Sequence, residues 1–137
     1  MEDAGKSLRI AAGVGDATEA ERLLQNGANV SAANAAGRTP LHMASLNGNT
    51  EVVSILLRAG AVVDARSNDL WTPLMNAAMG GHPATIKLLL EAGADPALKS
   101  KSGWTARDYA ELYSQPAAVE ALNSWAVRAR GGDAKCP

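Results

Sequence analysis

Short motifs recur along this chain at a constant spacing. The dipeptide Gly-Ala begins at Gly27, Gly60 and Gly93, and the segment Arg-Thr-Pro-Leu that begins at Arg38 is matched at the same interval by Trp-Thr-Pro-Leu, which begins at Trp71. A fixed period of roughly 33 residues is the sequence signature of a stacked-repeat protein. Each unit is too short to bury a core alone, so neighbouring units must bury it for one another.

Each internal unit is predicted to contain two helices followed by a loop. Thr39-Pro40 and Thr72-Pro73 predict helix starts, because Thr is a good N-cap and Pro is tolerated at the first helical position. The second helix carries a broad apolar face and is expected to end at Gly60 or Gly93, where glycine supplies a left-handed cap. An alanine recurs at one position of every first helix and predicts close contact between successive first helices: Ala11, Ala44, Ala77 and Ala110.

The outer units are more polar than the inner ones. Terminal units of a stack have a neighbour on one side only, so their outer faces must tolerate water. We therefore predict a single domain over residues 1–130, with units at about 4–36, 37–69, 70–102 and 103–130, the outer two acting as caps. Residues 131–137 show no periodicity and are predicted to form a disordered tail.

These motifs resemble the ankyrin repeat. The resemblance is carried by residues 39–44, 48–49 and 56–61 of one unit and by residues 72–75 and 88–95 of the next, and it covers roughly residues 4 to 129. It implies an all-α, L-shaped solenoid of about four helix–turn–helix units joined by β-hairpin-like loops. Two positions depart from the motif: Met75 stands where its His would be, and Leu70 stands where its turn Gly would be, which leaves the geometry of that turn open.

Composition excludes several classes of function. The net charge is −1, so no electrostatic argument favours nucleic acid or an anionic membrane as a partner. No apolar run approaches the ~18 residues of a membrane-spanning helix, and no signal peptide is visible. The single cysteine, Cys136, fits a reducing compartment. We expect an intracellular protein, cytoplasmic or nuclear, that is monomeric when alone and binds no cofactor.

Catalytic and metal-binding patterns are not found in the sequence. Two histidines and one distant cysteine do not make a metal site of the usual four-ligand kind. His42 is predicted to hydrogen-bond within the turn near Thr39, and His82 to hydrogen-bond in a loop, rather than to act as bases or ligands. The sequence therefore predicts a protein that is not an enzyme.

The resemblance implies protein binding through the concave side, which the hairpin tips and the first helices form. Trp71 and Trp104 occupy equivalent positions in successive loops, and Trp is frequent at interface hot spots. These rings either contact a partner or only cover the hairpins, and the sequence leaves both alternatives open. The candidate partner-binding residues are Arg38, Leu46, Asn47, Asn68, Asp69, Trp71, Met79, Lys101, Trp104, Leu112 and Tyr113.

The leading hypothesis is a non-enzymatic interaction module that binds a protein or peptide. Trp71, Trp104 and Tyr113 would supply apolar anchors, while charged residues near the hairpins would tune specificity. The alternative is a regulatory or targeting fragment of a larger enzyme or signalling protein. A small-molecule or nucleic-acid binder is disfavoured, because the charge is balanced and stacked repeats lack an enclosed apolar pocket.

Overall fold

The structure, a computed structural model, describes residues 3–134, and this part of the chain forms eight α-helices with no β-strand. The helices alternate between the first and the second helix of each unit. In chain order they are α1 (Ala4–Val14), α2 (Ala17–Gln25), α3 (Pro40–Leu46), α4 (Thr50–Arg58), α5 (Pro73–Gly80), α6 (Pro83–Glu91), α7 (Ala106–Leu112) and α8 (Pro116–Ala134).

The predicted helix starts are confirmed. The Oγ1 atom of Thr39 accepts a hydrogen bond from the backbone N–H of His42, and the hydroxyls of Thr72 and Thr105 cap α5 and α7 in the same way. Pro40 and Pro73 are the first residues of their helices, where a missing N–H breaks no hydrogen bond. Local sequence thus fixes where each first helix begins and, with it, the direction in which the preceding loop enters.

The second helices end where the sequence predicts. Gly27, Gly60 and Gly93 follow α2, α4 and α6 by two residues, and each has a positive φ, between 91° and 100°. Residues with a side chain resist this left-handed conformation, whereas glycine adopts it readily. The chain can therefore turn back toward the next loop at the same point of each unit.

The first helices α1, α3, α5 and α7 pack in one row, and the second helices α2, α4, α6 and α8 pack behind them. The alanine column between successive first helices is buried, as predicted, since Ala44, Ala77 and Ala110 are fully inaccessible. Leu56 and Leu89 of the second helices are also fully buried. The core is therefore a continuous strip between the two rows, to which every unit contributes.

Side-chain hydrogen bonds tie successive units together at one repeating position. Asn49, His82 and Gln115 are equivalent residues of three successive units, and each lies in the turn before a second helix. Asn49 donates to the Ala12 carbonyl (2.8 Å), His82 Nε2 bonds the Leu46 carbonyl (2.9 Å), and Gln115 donates to the Met79 carbonyl (2.9 Å). The loop hydrogen bond predicted for His82 is thus part of a ladder that satisfies carbonyls at the ends of α1, α3 and α5.

The loops before α3, α5 and α7 share one hairpin-like turn. In each loop a backbone N–H donates to a carbonyl four residues on, as Ser67 does to Trp71 (2.9 Å) and Ser100 to Trp104 (2.8 Å). Neighbouring loops are joined by backbone hydrogen bonds from Asn68 to Ala36 and from Lys101 to Asp69, both 2.9 Å long. The loops therefore form a continuous layer beside the first helices.

Leu70 keeps the turn that glycine makes in the other loops. Its φ is 62°, in the left-handed region, as are those of Gly37 (79°) and Gly103 (82°) at the equivalent positions. This conformation costs a residue with a side chain roughly 1–2 kcal/mol. The geometry that the sequence left open is thus retained, and Leu70 holds an exposed apolar side chain at the hairpin tip.

The helix α8 is longer than the other second helices and reaches Ala134. Residues 131–134 are therefore helical, where the sequence predicts a disordered tail, while Lys135, Cys136 and Pro137 lie outside the described residues. Each residue added to an existing helix gains a backbone hydrogen bond, which offsets part of the unfavourable helix propensity of Gly131 and Gly132. None of the described helices is long and apolar enough to cross a membrane.

Candidate partner-binding groove

A groove of about 310 Å³ runs between the hairpin layer and the first helices. Its walls are mostly apolar, with one cation and one anion. The lining residues are Ala36, Arg38, His42, Met43, Leu46, Ser67, Asp69, Trp71, Asn76, Met79 and Tyr113. The structure therefore brings together six of the predicted binding residues: Arg38, Leu46, Asp69, Trp71, Met79 and Tyr113.

The tryptophans of two successive loops contact the same tyrosine. The ring centroid of Tyr109 lies 4.1 Å from that of Trp71 and 5.5 Å from that of Trp104, with the planes tilted by 36° and 38°. The buried hydroxyl of Tyr109 is 2.6 Å from Ser100 Oγ. Trp71 is half-buried, whereas Trp104 is 38% exposed. Both rings thus cover part of the hairpins, and both keep surface that a partner can reach.

His42 holds the loop of Trp71 in place from beneath the groove. Its Nε2 is 2.8 Å from the Trp71 carbonyl oxygen, and its Nδ1 is 3.0 Å from the Thr39 backbone nitrogen. Because a carbonyl can only accept, Nε2 carries the proton and Nδ1 accepts from the Thr39 N–H. Burial of the ring lowers the pKa of His42 and so favours this neutral form. The prediction that His42 hydrogen-bonds in the turn near Thr39 is confirmed.

Asn76 brings a polar group into an otherwise apolar column. Its equivalents at the same repeat position of the other first helices are Ile10, Met43 and Tyr109. Only 7% of Asn76 is exposed, and its Oδ1 atom is buried with no hydrogen-bond partner. A buried polar atom without a partner is rare in native proteins and calls for a physical reason.

Exposed apolar side chains concentrate on the side of the first helices and hairpins. In the described part of the chain, the large apolar residues that are exposed include Ile10 and Val14 on α1, in addition to Leu70. Ile10 shares a repeat position with Met43, and Val14 shares one with Tyr113, both of which line the groove. The remaining members are Trp104, Leu112, Tyr113 and, in the loop after α4, Val62.

The other predicted residues lie near the groove but do not line it. Trp104 and Leu112 flank a second hollow of about 540 Å³ with Gly103, Asp108 and Glu111. Asn47 donates to the Gly13 carbonyl (2.7 Å), and Asn68 donates to the Ala35 carbonyl (2.8 Å), so both amides already join neighbouring units. Lys101 is exposed at its hairpin tip.

The sequence-based selection missed Met43, Asn76 and Leu70. The repeat register held the signal for all three, since Met43 and Asn76 share a column with Tyr109, and Leu70 replaces a turn glycine. The predicted binding residues lie at the ends of the first helices and at the hairpin tips, one turn away from the floor of the groove. Over the described residues, no cluster of His, Cys, Asp and Glu side chains is suited to hold a metal ion.

Comparison with known families agrees with this geometry. A family model described as ankyrin repeats, in three copies, matches residues 8–100 and 62–128. The chain belongs to the ankyrin repeat family, whose members are generally protein–protein interaction modules. A search of curated proteins found no match to the chain.

Proposed function

We propose that this protein is a non-enzymatic interaction module that binds a protein or peptide through the groove between its hairpins and first helices. The observation that carries the proposal is the set of apolar side chains left exposed in and beside the groove: Tyr113 lines it, and Trp104 and Leu112 flank the second hollow. Large apolar side chains that stay exposed on one side of a protein mark an interaction site more often than single scattered ones do.

The anchors of this interface are aromatic. Trp71 and Tyr113 line the groove, and Trp104 extends the same aromatic cluster through Tyr109. Aromatic side chains that are held by their own neighbours lose little entropy when a partner binds them. Each can therefore contribute about 2 kcal/mol or more to a complex.

Charged residues at the rim have a different role. Arg38 and Asp69 line the groove, and Lys101 lies on the next hairpin. Exposed charges at the edge of an interface change the rate of association more than the final affinity. Arg38→Ala and Lys101→Ala are expected to alter the association rate and its salt dependence.

The proposal is tested with peptides selected from a random displayed library against the wild-type protein. Their affinities are then measured by calorimetry for Trp104→Ala and Tyr113→Ala, both of which change exposed side chains, and for Trp71→Ala. Each groove change should weaken binding about 30-fold or more, the equivalent of about 2 kcal/mol. Circular dichroism confirms that each variant remains folded.

Matched controls lie on the second helices. Arg58→Ala and Lys87→Ala change exposed side chains of α4 and α6, away from the groove, and are expected to leave the affinity within about twofold. If these changes weakened peptide binding while all three aromatic changes did not, the binding surface would lie on the opposite side of the molecule.

A further inference from the structure

The floor of the groove contains an unpaired acceptor. Asn76 is only 7% exposed, and its Oδ1 atom has no partner among the described residues. The helix α5 does not require a polar residue there, because the equivalent positions hold Ile10, Met43 and Tyr109. The side chain lines the groove while its Oδ1 atom is covered, so a rotation of the amide would present that atom to a group that enters the groove.

The surroundings of Asn76 fit a flat, apolar side chain. Met43, Met79 and Leu46 form walls on the helix side, and Trp71 forms the wall on the hairpin side. Thioether groups adapt to irregular shapes and make favourable contacts with aromatic rings. A hollow of about 310 Å³ is large enough for one aromatic side chain.

The rim favours neither sign of charge in an occupant. Arg38 and Asp69 both line the hollow, so a cation or an anion would meet one attraction and one repulsion. A neutral side chain enters without the cost of removing a full charge from water. A hydrogen-bonding group at its end would supply the partner that Asn76 Oδ1 lacks.

We propose that this hollow receives one tyrosine side chain of the bound partner, with the tyrosine hydroxyl hydrogen-bonded to the side-chain amide of Asn76. The hydroxyl is at the far end of the ring, which is the end that enters the hollow first. It can donate to Oδ1 or accept from Nδ2, so it fits either orientation of the amide. The tyrosine would come from the partner, so that part of the inference rests on the proposed function. The hollow and the position of Asn76 in it do not.

The hollow is tested with two small probes, p-cresol, which has the tyrosine side-chain structure, and toluene, which lacks the hydroxyl. Binding is followed by the methionine methyl signals in ¹³C NMR. Met43 and Met79 line the hollow and report on it, while Met75 is buried in the core and serves as an internal control. We expect p-cresol to shift the two reporters and to bind about two- to tenfold more tightly than toluene, the value of one hydrogen bond.

The variant Asn76→Met carries methionine at this position, as the preceding unit does at Met43. In this variant p-cresol should lose its advantage over toluene, and the midpoint of urea unfolding should stay level or rise, since an unpaired buried group has been removed. The matched control is Asn123→Met in the last unit, which should keep the preference for p-cresol.

Several outcomes would overturn the proposal. Equal affinity of the wild type for the two probes would do so, as would an unchanged preference in Asn76→Met or a movement of Met75 instead of the two reporters. A clear drop in stability for Asn76→Met would also do so, because it would show that Asn76 is needed by the fold. The probes need no protein partner, so failure here with peptide binding intact would reject the tyrosine site alone. Failure of peptide binding with the probe preference intact would reject the proposed function alone.

Discussion

Two hollows of this molecule place their polar residues differently, although apolar atoms supply most of the exposed surface of each. The first, of about 1070 Å³, lies at the end of the stack between α7 and α8. Its lining positions correspond to those through which the preceding unit packs against α7 and α8, since Gly81 lies against Gln115 and Leu90 lies near Trp125. It is therefore the surface on which a further unit would pack.

Two residues of this largely apolar end surface are more polar than their equivalents in the preceding unit. Glu111 is exposed at the position that Ala78 fills as a buried residue, and Asn123 stands where Leu90 is buried. They place a charge and an amide on a surface that would otherwise resemble an inner face of the stack, and repeat proteins need such polar outer faces on their caps.

In the groove beside the first helices, the charged residues are Arg38 and Asp69, on the hairpin side. Leu46, Met79 and Tyr113 keep apolar side chains at positions that water can reach. Exposure to water alone therefore does not determine where this chain carries apolar side chains. The same last unit that replaces Ala by Glu111 on its end presents Tyr113 to the groove, which supports a binding role for the groove.

The largest expected effect on stability comes from a substitution in the hydrophobic core. Leu89 is fully buried between α6 and its neighbours, and Leu89→Ala should cost about 2–5 kcal/mol of unfolding free energy by urea denaturation. Tyr113→Ala, which changes a side chain that is 49% exposed, should cost less than about 0.5 kcal/mol. Equal costs at the two positions would mean that Tyr113 belongs to the core, and the contrast between groove and core would fail.

A smaller effect is the pH dependence of the unfolding free energy, which His42 should give to the groove but not to the end hollow. The pKa of His42 is lowered by burial from its usual value near 6.5, so the unfolded chain takes up a proton at a higher pH than the folded one. The stability that neutral His42 contributes is present above pH 6.5 and is lost as the pH falls below that value. Protonation would also remove the acceptor of the Thr39 N–H.

Urea midpoints at pH 7.5 and pH 5.5 measure this effect. His42→Gln should lower stability at pH 7.5 by about 1–3 kcal/mol, because buried partners lose their hydrogen bonds, and it should reduce the difference between the two pH values. Changes in the end hollow, which holds no histidine, should leave that difference as it is in the wild type. An unchanged pH dependence in His42→Gln would show that His42 does not couple the groove to pH.

Sequence predicted the repeating parts of the molecule better than the exceptions. Thr39-Pro40, the alanine column and the glycines after the second helices act through local geometry that recurs from unit to unit, so the helices followed directly. The length of α8 does not follow from the sequence, because Gly131 and Gly132 are poor helix formers and residues 131–137 lack apolar periodicity, yet α8 continues through both glycines to Ala134.

The groove was predicted only in part. The sequence predicts Trp71 in a hairpin and Tyr113 at the end of a first helix, both on the concave side, and both line the groove, whereas Trp104, the repeat equivalent of Trp71, flanks the second hollow. The unpaired amide of Asn76 depends on which atoms surround it in three dimensions, and no sequence motif records that. The left-handed conformation of Leu70 matches that of Gly37 and Gly103 at the equivalent turn positions.

The smallest expected effect on folding tests the end hollow itself. Glu111→Ala combined with Asn123→Leu restores the residues of the preceding unit at two exposed or half-exposed positions. The unfolding free energy of the monomer should change by less than about 0.5 kcal/mol, because no buried contact is lost. Association should change far more, since a largely apolar end would lose a charge and an amide beside Ala110 and Val119.

Sedimentation velocity over a range of protein concentrations measures this association. The double variant should form dimers at concentrations where the wild type sediments as one species. Glu21→Ala with Gln25→Leu makes comparable changes in charge and apolarity on the exposed side of α2 and should not associate. If the end variant remained as monomeric as this control, Glu111 and Asn123 would not limit association at the end of the stack, and the difference between the end hollow and the groove would not rest on these two residues.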